Sequence, residues 1–431
     1  MADKKKNFHF PKYVYDKIDS AYIPSKVYVS LKQEHGGICK SCVKPGDIVD
    51  EGQLIATGKQ DITSIHAPIP GIICAEEELP MPDGTSAQCI VIEFSGSFSF
   101  TGRKEAKTKT ESPSKILSQI KKLGIINMCT DMPTSLAAQI NTHKEEKTLG
   151  VFLFDRDPGI SVNKILTQQY TKEIFIGARL CAQAMHADGI LFFCCDKNQE
   201  KLQNPELIEL LQDIPHAFIK TDCKLYPNAS PYELNVLIKK AKTTLPDGIS
   251  AHMKICIDSA TAFQVYNSIT FSSPMTETFV EVNGGALHKA RVFSVKIGTP
   301  IRKLLEECGG TQKIPSKIVT NGLLKGSAVC DLHIPVTKYL KCITLLSSAG
   351  VPDQKTSTCT HCGSCRNICP KGLLPDILYG HHVNKFPVED EIFLSVHLCE
   401  ECALCNTVCP ARLSLYQIIS KIKDEYYAKN I

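Results

Sequence analysis

The sequence lacks tryptophan, long apolar runs and an excess of one charge sign. The longest purely apolar stretch near the middle of the chain is residues 190–195, whereas a membrane span needs about 20 such residues. The 49 Lys and Arg residues nearly balance the 45 Asp and Glu residues, which argues against a nucleic-acid-binding surface. Residues 1–11 contain no apolar segment typical of a secretory signal. We therefore expect a chain that neither spans a membrane nor leaves the reducing compartment.

Cysteine, in contrast, is abundant, with 21 among the 431 residues. Such a count indicates either a disulfide framework or a metal protein. Disulfides are uncommon in a reducing compartment, and a chain of this length can bury enough surface without them. At roughly 150 residues per domain, the length suggests about three domains. The composition therefore favours a multidomain, metal-binding protein.

The spacing of eight cysteines near the C-terminus predicts the kind of metal site. Residues 359–370 read C-x2-C-x2-C-x3-C-P, and residues 399–410 repeat this pattern. In ferredoxins with this spacing, three cysteines wrap one [4Fe–4S] cluster and the fourth, carried off by a short helix, ligates the other cluster. Zinc sites, the alternative, close with two C-x2-C halves and fit the triple spacing poorly. The predicted metal ligands are Cys359, Cys362, Cys365 and Cys409 for cluster 1, and Cys399, Cys402, Cys405 and Cys369 for cluster 2.

The remaining thirteen cysteines show no comparable pattern. Cys39 and Cys42 form a lone C-x2-C with no second pair nearby, so a redox-active pair is the minor alternative to two structural thiols. Cys194 and Cys195 lie in an apolar run, where cysteine behaves as a small hydrophobe. We interpret all thirteen as buried structural thiols, the others being Cys74, Cys89, Cys129, Cys181, Cys223, Cys256, Cys308, Cys330 and Cys342.

The N-terminal part of the chain, at residues 25–95, reads as short strands separated by Pro-Gly and Asp-Gly turns, a pattern typical of a small sandwich or barrel. Its phrases resemble those of lipoyl-type sandwich domains, but the lysine that those domains modify has no counterpart. We therefore predict a scaffold module at residues 1–100 and interpret His66 as structural. A polar linker follows at residues 101–114.

The middle of the chain changes pattern twice. Residues 115–272 alternate between strand-like and helical segments, which predicts an α/β domain with a largely parallel sheet. Residues 273–345 return to alternating strands and predict a small β-grasp-like module. Its helix is expected to have Thr299 as N-cap and Pro300 as first residue. The ferredoxin domain then occupies residues 346–431.

This order of modules resembles the RnfC/RsxC family of the Rnf/Rsx electron transport complex over nearly the whole chain. The resemblance is most specific at residues 43–47 with 66–68, at 295–302 and at 359–375. It implies a barrel-sandwich hybrid module, an α/β domain like the flavin-binding subunit of respiratory complex I, an SLBB-like β-grasp module and a two-cluster ferredoxin domain. It also implies a non-covalent FMN that takes hydride from NADH and passes electrons to the clusters and on to membrane subunits.

The sequence departs from the family where FMN and NADH would bind. The family's loop, G-x-x-G-x-G-G-A-x-F-P-T, corresponds to Gly124–Thr134, which keeps only the first glycine and the final Pro-Thr and adds the negative charge of Asp131. Two further family phrases are also lost, at residues 154–159 and 226–230. We therefore predict that FMN is absent, that NADH does not bind and that no catalytic residue remains. A divergent loop that still holds flavin is the alternative.

Together these features predict an electron-transfer subunit of a membrane-bound, ion-translocating Rnf-type oxidoreductase complex. Electrons would pass through the two [4Fe–4S] clusters between a soluble carrier, ferredoxin or flavodoxin, and the membrane subunits, with NADH left open as an alternative donor. The expected location is peripheral, on the cytoplasmic side of the inner membrane, with no nucleic-acid partner. One alternative is a soluble NADH-dependent flavin/iron–sulfur reductase of cobalamin-reductase type, which needs an intact flavin loop. The other is a scaffold whose α/β domain serves only for docking.

Overall fold

The computed structural model describes residues 6–7, 13–35, 37–59, 61–96, 112–130, 133–195, 199–212, 214–223, 225–228, 231–241, 245–246, 249, 253–350 and 355–430. The strands in this part of the chain are β1 (Lys6–Asn7), β2 (Ile18–Ser20), β3 (Lys26–Ser30), β4 (Lys40–Ser41), β5 (Ile48–Val49), β6 (Leu54–Thr57), β7 (Ile65–His66), β8 (Gly71–Pro80), β9 (Ser86–Phe94), β10 (Ile126–Asn127), β11 (Thr134–Ser135), β12 (Thr148–Phe152), β13 (Gly189–Cys195), β14 (His216–Thr221), β15 (Leu225–Tyr226), β16 (Ile255–Asp258), β17 (Glu277–Asn283), β18 (Arg291–Lys296), β19 (Lys317–Thr320), β20 (Ser327–Val329) and β21 (Cys342–Leu346).

The α-helices are α1 (Pro113–Lys122), α2 (Leu136–Thr142), α3 (Val162–Gln169), α4 (Thr171–Met185), α5 (Gln199–Leu202), α6 (Pro205–Glu209), α7 (Pro231–Ala241), α8 (Ser259–Phe271), α9 (Ile301–Glu307), α10 (Ser364–Ile368), α11 (Pro375–Asn384), α12 (Asp390–Leu394), α13 (Leu404–Thr407) and α14 (Leu415–Asn430). Short 3-10 helices lie at Ser348–Gly350 and Ser395–Leu398. Among the residues with described structure, no helix is both long enough and apolar enough to cross a membrane.

The N-terminal strands form two small sheets around one core. A four-stranded sheet has the order β3-β9-β8-β5, and a three-stranded sheet has the order β4-β6-β7. Alternation places Val27 and Val29 of β3 on the buried face, where they share a core with Ile55 and Ile65 of the smaller sheet. The predicted short strands and turns of this part are thus confirmed.

A separate, six-stranded sheet has the order β2-β18-β17-β21-β19-β20. Its edge strand β2 comes from the N-terminal part of the chain and pairs in parallel with β18, with Ile18 opposite Val292. Helix α9 packs on this sheet through Ile301, Leu304 and Leu305. The sequence did not predict that residues near position 18 would join a sheet built from residues 277–346, because no local pattern marks such a long-range pairing. The β-grasp identity of this sheet and the five-part division of the chain stay predictions.

The predicted parallel sheet is confirmed at residues 148–258. Strands β14, β13, β12 and β16 lie in that order, and every neighbouring pair is parallel. Helices α4 and α8 cross in close contact at Gly177. A Cβ atom at this position would lie only 1.8 Å from the carbonyl oxygen of Ala262, so the close approach requires glycine. The buried side chains of this domain continue into those of the N-terminal sandwich. The two parts therefore share one hydrophobic core.

Two local predictions need correction. Helix α9 begins at Ile301 with Pro300 as N-cap, so the assignment of Thr299 as N-cap was wrong. Pro300 is extended because it bridges to Pro335, and the Thr299 carbonyl accepts the Val336 N–H at 2.8 Å. Helix α1 starts inside the predicted 101–114 linker, whose residues 101–111 lie outside the described residues.

Candidate metal centres and the adjoining cavity

Two cysteine loops near the C-terminus repeat the same backbone path. We call residues 359–369 the first loop and residues 399–409 the second loop. Each contains one short helix, α10 or α13, and each is followed by a longer one, α11 or α14. Each loop and the turn after it form one repeat, which we call the first repeat (residues 359–372) and the second repeat (residues 399–412). Left-handed backbone recurs at matching positions of the two repeats, at His361, Gly363 and Gly372 in the first and at Glu401, Ala403 and Arg412 in the second. A common local geometry therefore follows from the common spacing.

The eight predicted ligands surround two separate small cavities. One is lined by the first three cysteines of the first loop together with Cys409 of the second. The other is lined by the first three cysteines of the second loop together with Cys369 of the first. This crossed grouping is the one that the sequence predicted for clusters 1 and 2. All eight cysteines are free thiols.

The surroundings of these thiols suit a thiolate-bound cluster. Backbone N–H groups of His361, Glu401 and Leu373 point at the sulfurs of Cys359, Cys399 and Cys369, each at 3.4 Å. Such N–H···S bonds stabilise thiolates and tune iron–sulfur potentials. No group of three or more His, Cys, Asp or Glu in the described chain is placed to hold a single metal ion. A [4Fe–4S] cluster does not need its ligands to converge on one point, because each cysteine sulfur binds a different iron atom.

The first loop faces solvent. Cys362 is exposed, and its hydrogen bonding with Ser364 lowers the pKa of its thiol. Arg366 makes two hydrogen bonds to Asp376, at 2.7 and 2.6 Å, and the Asp376 side chain is only 3% exposed. Burial alone would raise the pKa of Asp376, but this bidentate pairing holds it below the usual value. One ion pair thus ties α10 to α11.

The second loop is covered by other parts of the chain. The Tyr226 hydroxyl donates to the carbonyl oxygen of Cys402 at 2.7 Å, and Lys423 of α14 donates to that of Cys399 at 2.8 Å. Lys423 also pairs with Glu401 at 2.5 Å. Burial raises the pKa of the Cys402 thiol to about 11. This loop therefore lies against the α/β domain rather than against solvent.

A larger cavity of about 230 Å³ lies at the carboxyl edge of the parallel sheet. Its wall includes Phe152 and Asp258, the last residues of β12 and β16, where open α/β sheets commonly bind ligands. Tyr416 lines both this cavity and the small cavity of the second loop. The α/β cavity therefore adjoins the site predicted for cluster 2.

Lys341, Asp258 and Asp155, which line this cavity, have hydrogen-bond partners within the chain. Lys341 donates to Asp258 at 2.7 Å and to the carbonyl oxygen of Met128 at 2.5 Å. Burial would raise the pKa of Asp258, but Lys341 holds it below the usual value. Asp155 accepts the N–H groups of Asn163 and Lys164 at the start of α3, and burial raises its pKa to about 6. These side chains thus have partners within the chain.

The one glycine kept from the family's flavin loop has a structural reason to be there. Gly124 has a φ of +72°, and a Cβ at this position would lie 2.4 Å from the carbonyl oxygen of Ser64. Its own carbonyl accepts a 2.6 Å hydrogen bond from the buried Lys338. The pKa of the neighbouring His66 is lowered to about 4, mainly by burial and to a smaller extent by the positive charge of Lys338. His66 is therefore neutral at pH 7. Asp131 and Met132 lie outside the described residues.

The interpretation of the other thirteen cysteines as buried thiols was partly wrong. Cys195 and Cys223 form a disulfide. Their sequence separation gave no signal for this, and the carboxyl ends of neighbouring strands bring them together. Cys42, Cys74 and Cys330 are exposed, whereas Cys39 is buried with its thiol near the Thr63 carbonyl. Cys39 and Cys42 are not bonded to each other.

Sequence reasoning missed several residues near these sites. Tyr226 was noted only for the glycines missing after it, although a buried tyrosine usually finds a hydrogen-bond partner. Tyr416 and Lys341 carried no motif at all, because their positions depend on contacts between distant segments. A signal was available only for Tyr226.

Comparison with known proteins is consistent with the resemblance in the sequence. Residues 12–97 match the family model described as the RnfC barrel sandwich hybrid domain, which confirms the predicted N-terminal module. The C subunit of the ion-translocating oxidoreductase complex of Serratia proteamaculans is 27% identical over 365 residues, or 84% of this chain and 52% of that protein. The proteins of the same name from Cronobacter sakazakii and Rhodobacter capsulatus are 26% and 25% identical, covering 84% and 83% of this chain and 47% and 70% of theirs. The chain thus spans about half the length of the first two relatives.

Among solved structures, the chain is similar to an NAD+-reducing [NiFe]-hydrogenase in its air-oxidized state. The TM-score is 0.45 at 12% identity, and the match covers 73% of this chain and 62% of that one. A likeness of this extent carries no weight for fold or function.

Proposed function

We propose that this chain is an RnfC-like electron-transfer subunit of a membrane-bound, ion-translocating Rnf-type oxidoreductase complex. The observation that supports this most is the crossed grouping of eight free cysteines around two cavities. Cys359, Cys362, Cys365 and Cys409 would hold cluster 1, and Cys399, Cys402, Cys405 and Cys369 would hold cluster 2. Two bound [4Fe–4S] clusters would supply one-electron transfer.

The two loops differ in how far they are exposed to partner proteins. The first loop exposes Cys362 to solvent, whereas the second loop is covered by Tyr226 and Tyr416. We therefore assign the first loop to direct electron exchange with a partner protein, and the second loop is the more covered member of the relay. The partners in this proposal are the membrane subunits and a soluble carrier, ferredoxin or flavodoxin, on the cytoplasmic side of the inner membrane.

The proposal includes the absence of FMN and of NADH binding. The cavity of about 230 Å³ is smaller than the roughly 300–1,000 Å³ of typical ligand pockets. Lys341 and Asp258, which both line it, pair with each other, and Gly124 is required for packing against Ser64. The glycine-rich phosphate cradle of the family is missing from the sequence. The α/β domain would then serve as a scaffold for the second loop.

The test compares electron donors under anaerobic conditions. Reduced ferredoxin or flavodoxin should bleach the visible absorption of the reconstituted protein, and NADH should not. Bleaching by NADH alone would contradict the loss of the NADH site. The chain should also sediment with membranes that contain the partner subunits and remain in solution without them, whereas a soluble reductase would remain in solution in both cases.

A further inference from the structure

The disulfide between Cys195 and Cys223 is the single one in the chain. All 21 cysteines lie in the described part of the structure, and the other 19 are free. Cys195 ends β13 and lies opposite Thr221, the last residue of β14. The bond therefore ties two neighbouring parallel strands together at the edge where the α/β cavity opens.

The segment that follows this disulfide contacts the second loop. Tyr226, three residues after Cys223, is 4% exposed and donates its hydroxyl to the carbonyl oxygen of Cys402 at 2.7 Å. On its other side, the Tyr226 backbone pairs with Lys6 in a ladder of only two residue pairs. The disulfide thus lies three residues before the tyrosine that contacts the second loop.

Both residues of the disulfide are partly exposed. Cys195 and Cys223 are each half-buried, whereas the adjacent Cys194 is buried. Both pack at the edge of the core formed by Phe152, Phe154 and neighbouring side chains. This exposure matters because exchange requires a thiolate to approach one of the two sulfurs.

We propose that Cys195 and Cys223 form a reversible thiol–disulfide exchange site for low-molecular-mass thiols, and that its state sets the Tyr226 hydrogen bond to Cys402. In the reducing direction, a thiolate attacks one sulfur, forms a mixed disulfide and releases the other cysteine. A second thiol then releases the first cysteine. The protein gains two electrons and two protons, and the two reagent thiols leave as one disulfide.

The effect on cluster 2 follows from the hydrogen bond, and this part rests on the proposed function. With the disulfide closed, Tyr226 withdraws charge from the Cys402 carbonyl beside the cluster site. With it open, the tether is lost and the carbonyl regains its full negative dipole. The midpoint potential of cluster 2 should then fall, because hydrogen bonds and local dipoles tune such potentials. Tyr226 is a positioning residue in this scheme.

The first experiment equilibrates the full-length protein anaerobically in glutathione buffers of varying ratio. Acid quenching, alkylation and peptide mass mapping then follow the linkage of Cys195 to Cys223. The same samples give the potentials of both clusters by EPR-monitored titration and the amide exchange of residues 399–405. Opening the disulfide should lower the potential of cluster 2, speed exchange in residues 399–405 and leave cluster 1 unchanged.

Variants separate the tether from general damage. Cys195→Ser and Tyr226→Phe should both fix cluster 2 at its lower potential and abolish its response to glutathione. Cys330→Ser, which removes an exposed free thiol, should leave the response intact. Unlinked Cys195 and Cys223 in fully oxidised buffer would overturn the proposal, and so would opening without any change at the second loop. Absence of iron would instead refute the proposed function, while the linkage and the amide exchange would still test the tether.

Discussion

The two cysteine loops share a backbone but not an environment. The first loop has an exposed Cys362 and is braced by Arg366 and Asp376. The second loop is braced by Lys423 and Glu401 and lies under Tyr226 of the α/β domain. The cysteine spacing therefore gives two loops of equivalent backbone, and the packing around them leaves the first loop more exposed and the second loop more covered. The difference between the loops lies in tertiary contacts rather than in the motif.

The largest expected effect comes from removing one ligand of each loop. Cys362→Ser should remove or convert cluster 1 only, and Cys402→Ser should do the same to cluster 2, because each cavity is lined by its own four cysteines. EPR spectra and iron content of the reduced variants measure this. Two intact clusters in either variant would contradict the ligand assignment.

Chelation of iron should distinguish the loops without mutation. Cluster 1 should be lost first to an iron chelator, because Cys362 is exposed and the cysteines of cluster 2 are at least partly buried. The time course of the two EPR signals gives the order of loss. Loss of both signals at the same rate would show that the covering of the second loop does not protect its cluster.

Removing the ion pair of either repeat, Arg366 with Asp376 or Lys423 with Glu401, should have a smaller effect, on stability. Arg366→Met leaves Asp376 without its bidentate partner and should destabilise the first repeat by about 2 kcal/mol. Lys423→Met should do the same to the second repeat, since Glu401 and the Cys399 carbonyl both lose a donor. Denaturant unfolding gives the size, and amide exchange in each loop gives the location. Equal loosening of both loops by one variant would show that the repeats are coupled.

The smallest effect concerns one backbone position that differs between the repeats. Gly363 and Ala403 both adopt left-handed backbone, with φ of +73° and +58°. A Cβ in this conformation costs about 1 kcal/mol. Ala403→Gly should therefore stabilise the second repeat by that amount, and Gly363→Ala should destabilise the first. Thermal unfolding measures both, and shifts of the same sign would refute the backbone equivalence of the loops.

The parts of the molecule that the sequence predicted are those set by local spacing. The parallel sheet and the short strands of the N-terminal part follow from short-range patterns, and the crossed ligand sets, which come from the same kind of pattern, stay a prediction. The disulfide, the edge strand β2 and the Tyr226 contact depend on segments far apart in the chain. No spacing rule reaches such pairs, since the fold alone decides which distant residues meet.

The central claim is that the C-terminal loops hold two clusters while the α/β cavity holds no flavin. Its most direct measurement is the iron, acid-labile sulfide and released flavin of one anaerobically reconstituted sample. We expect about eight iron and eight sulfide per chain, with no flavin after denaturation. Stoichiometric FMN in the supernatant, or zinc in place of iron and sulfide, would contradict it.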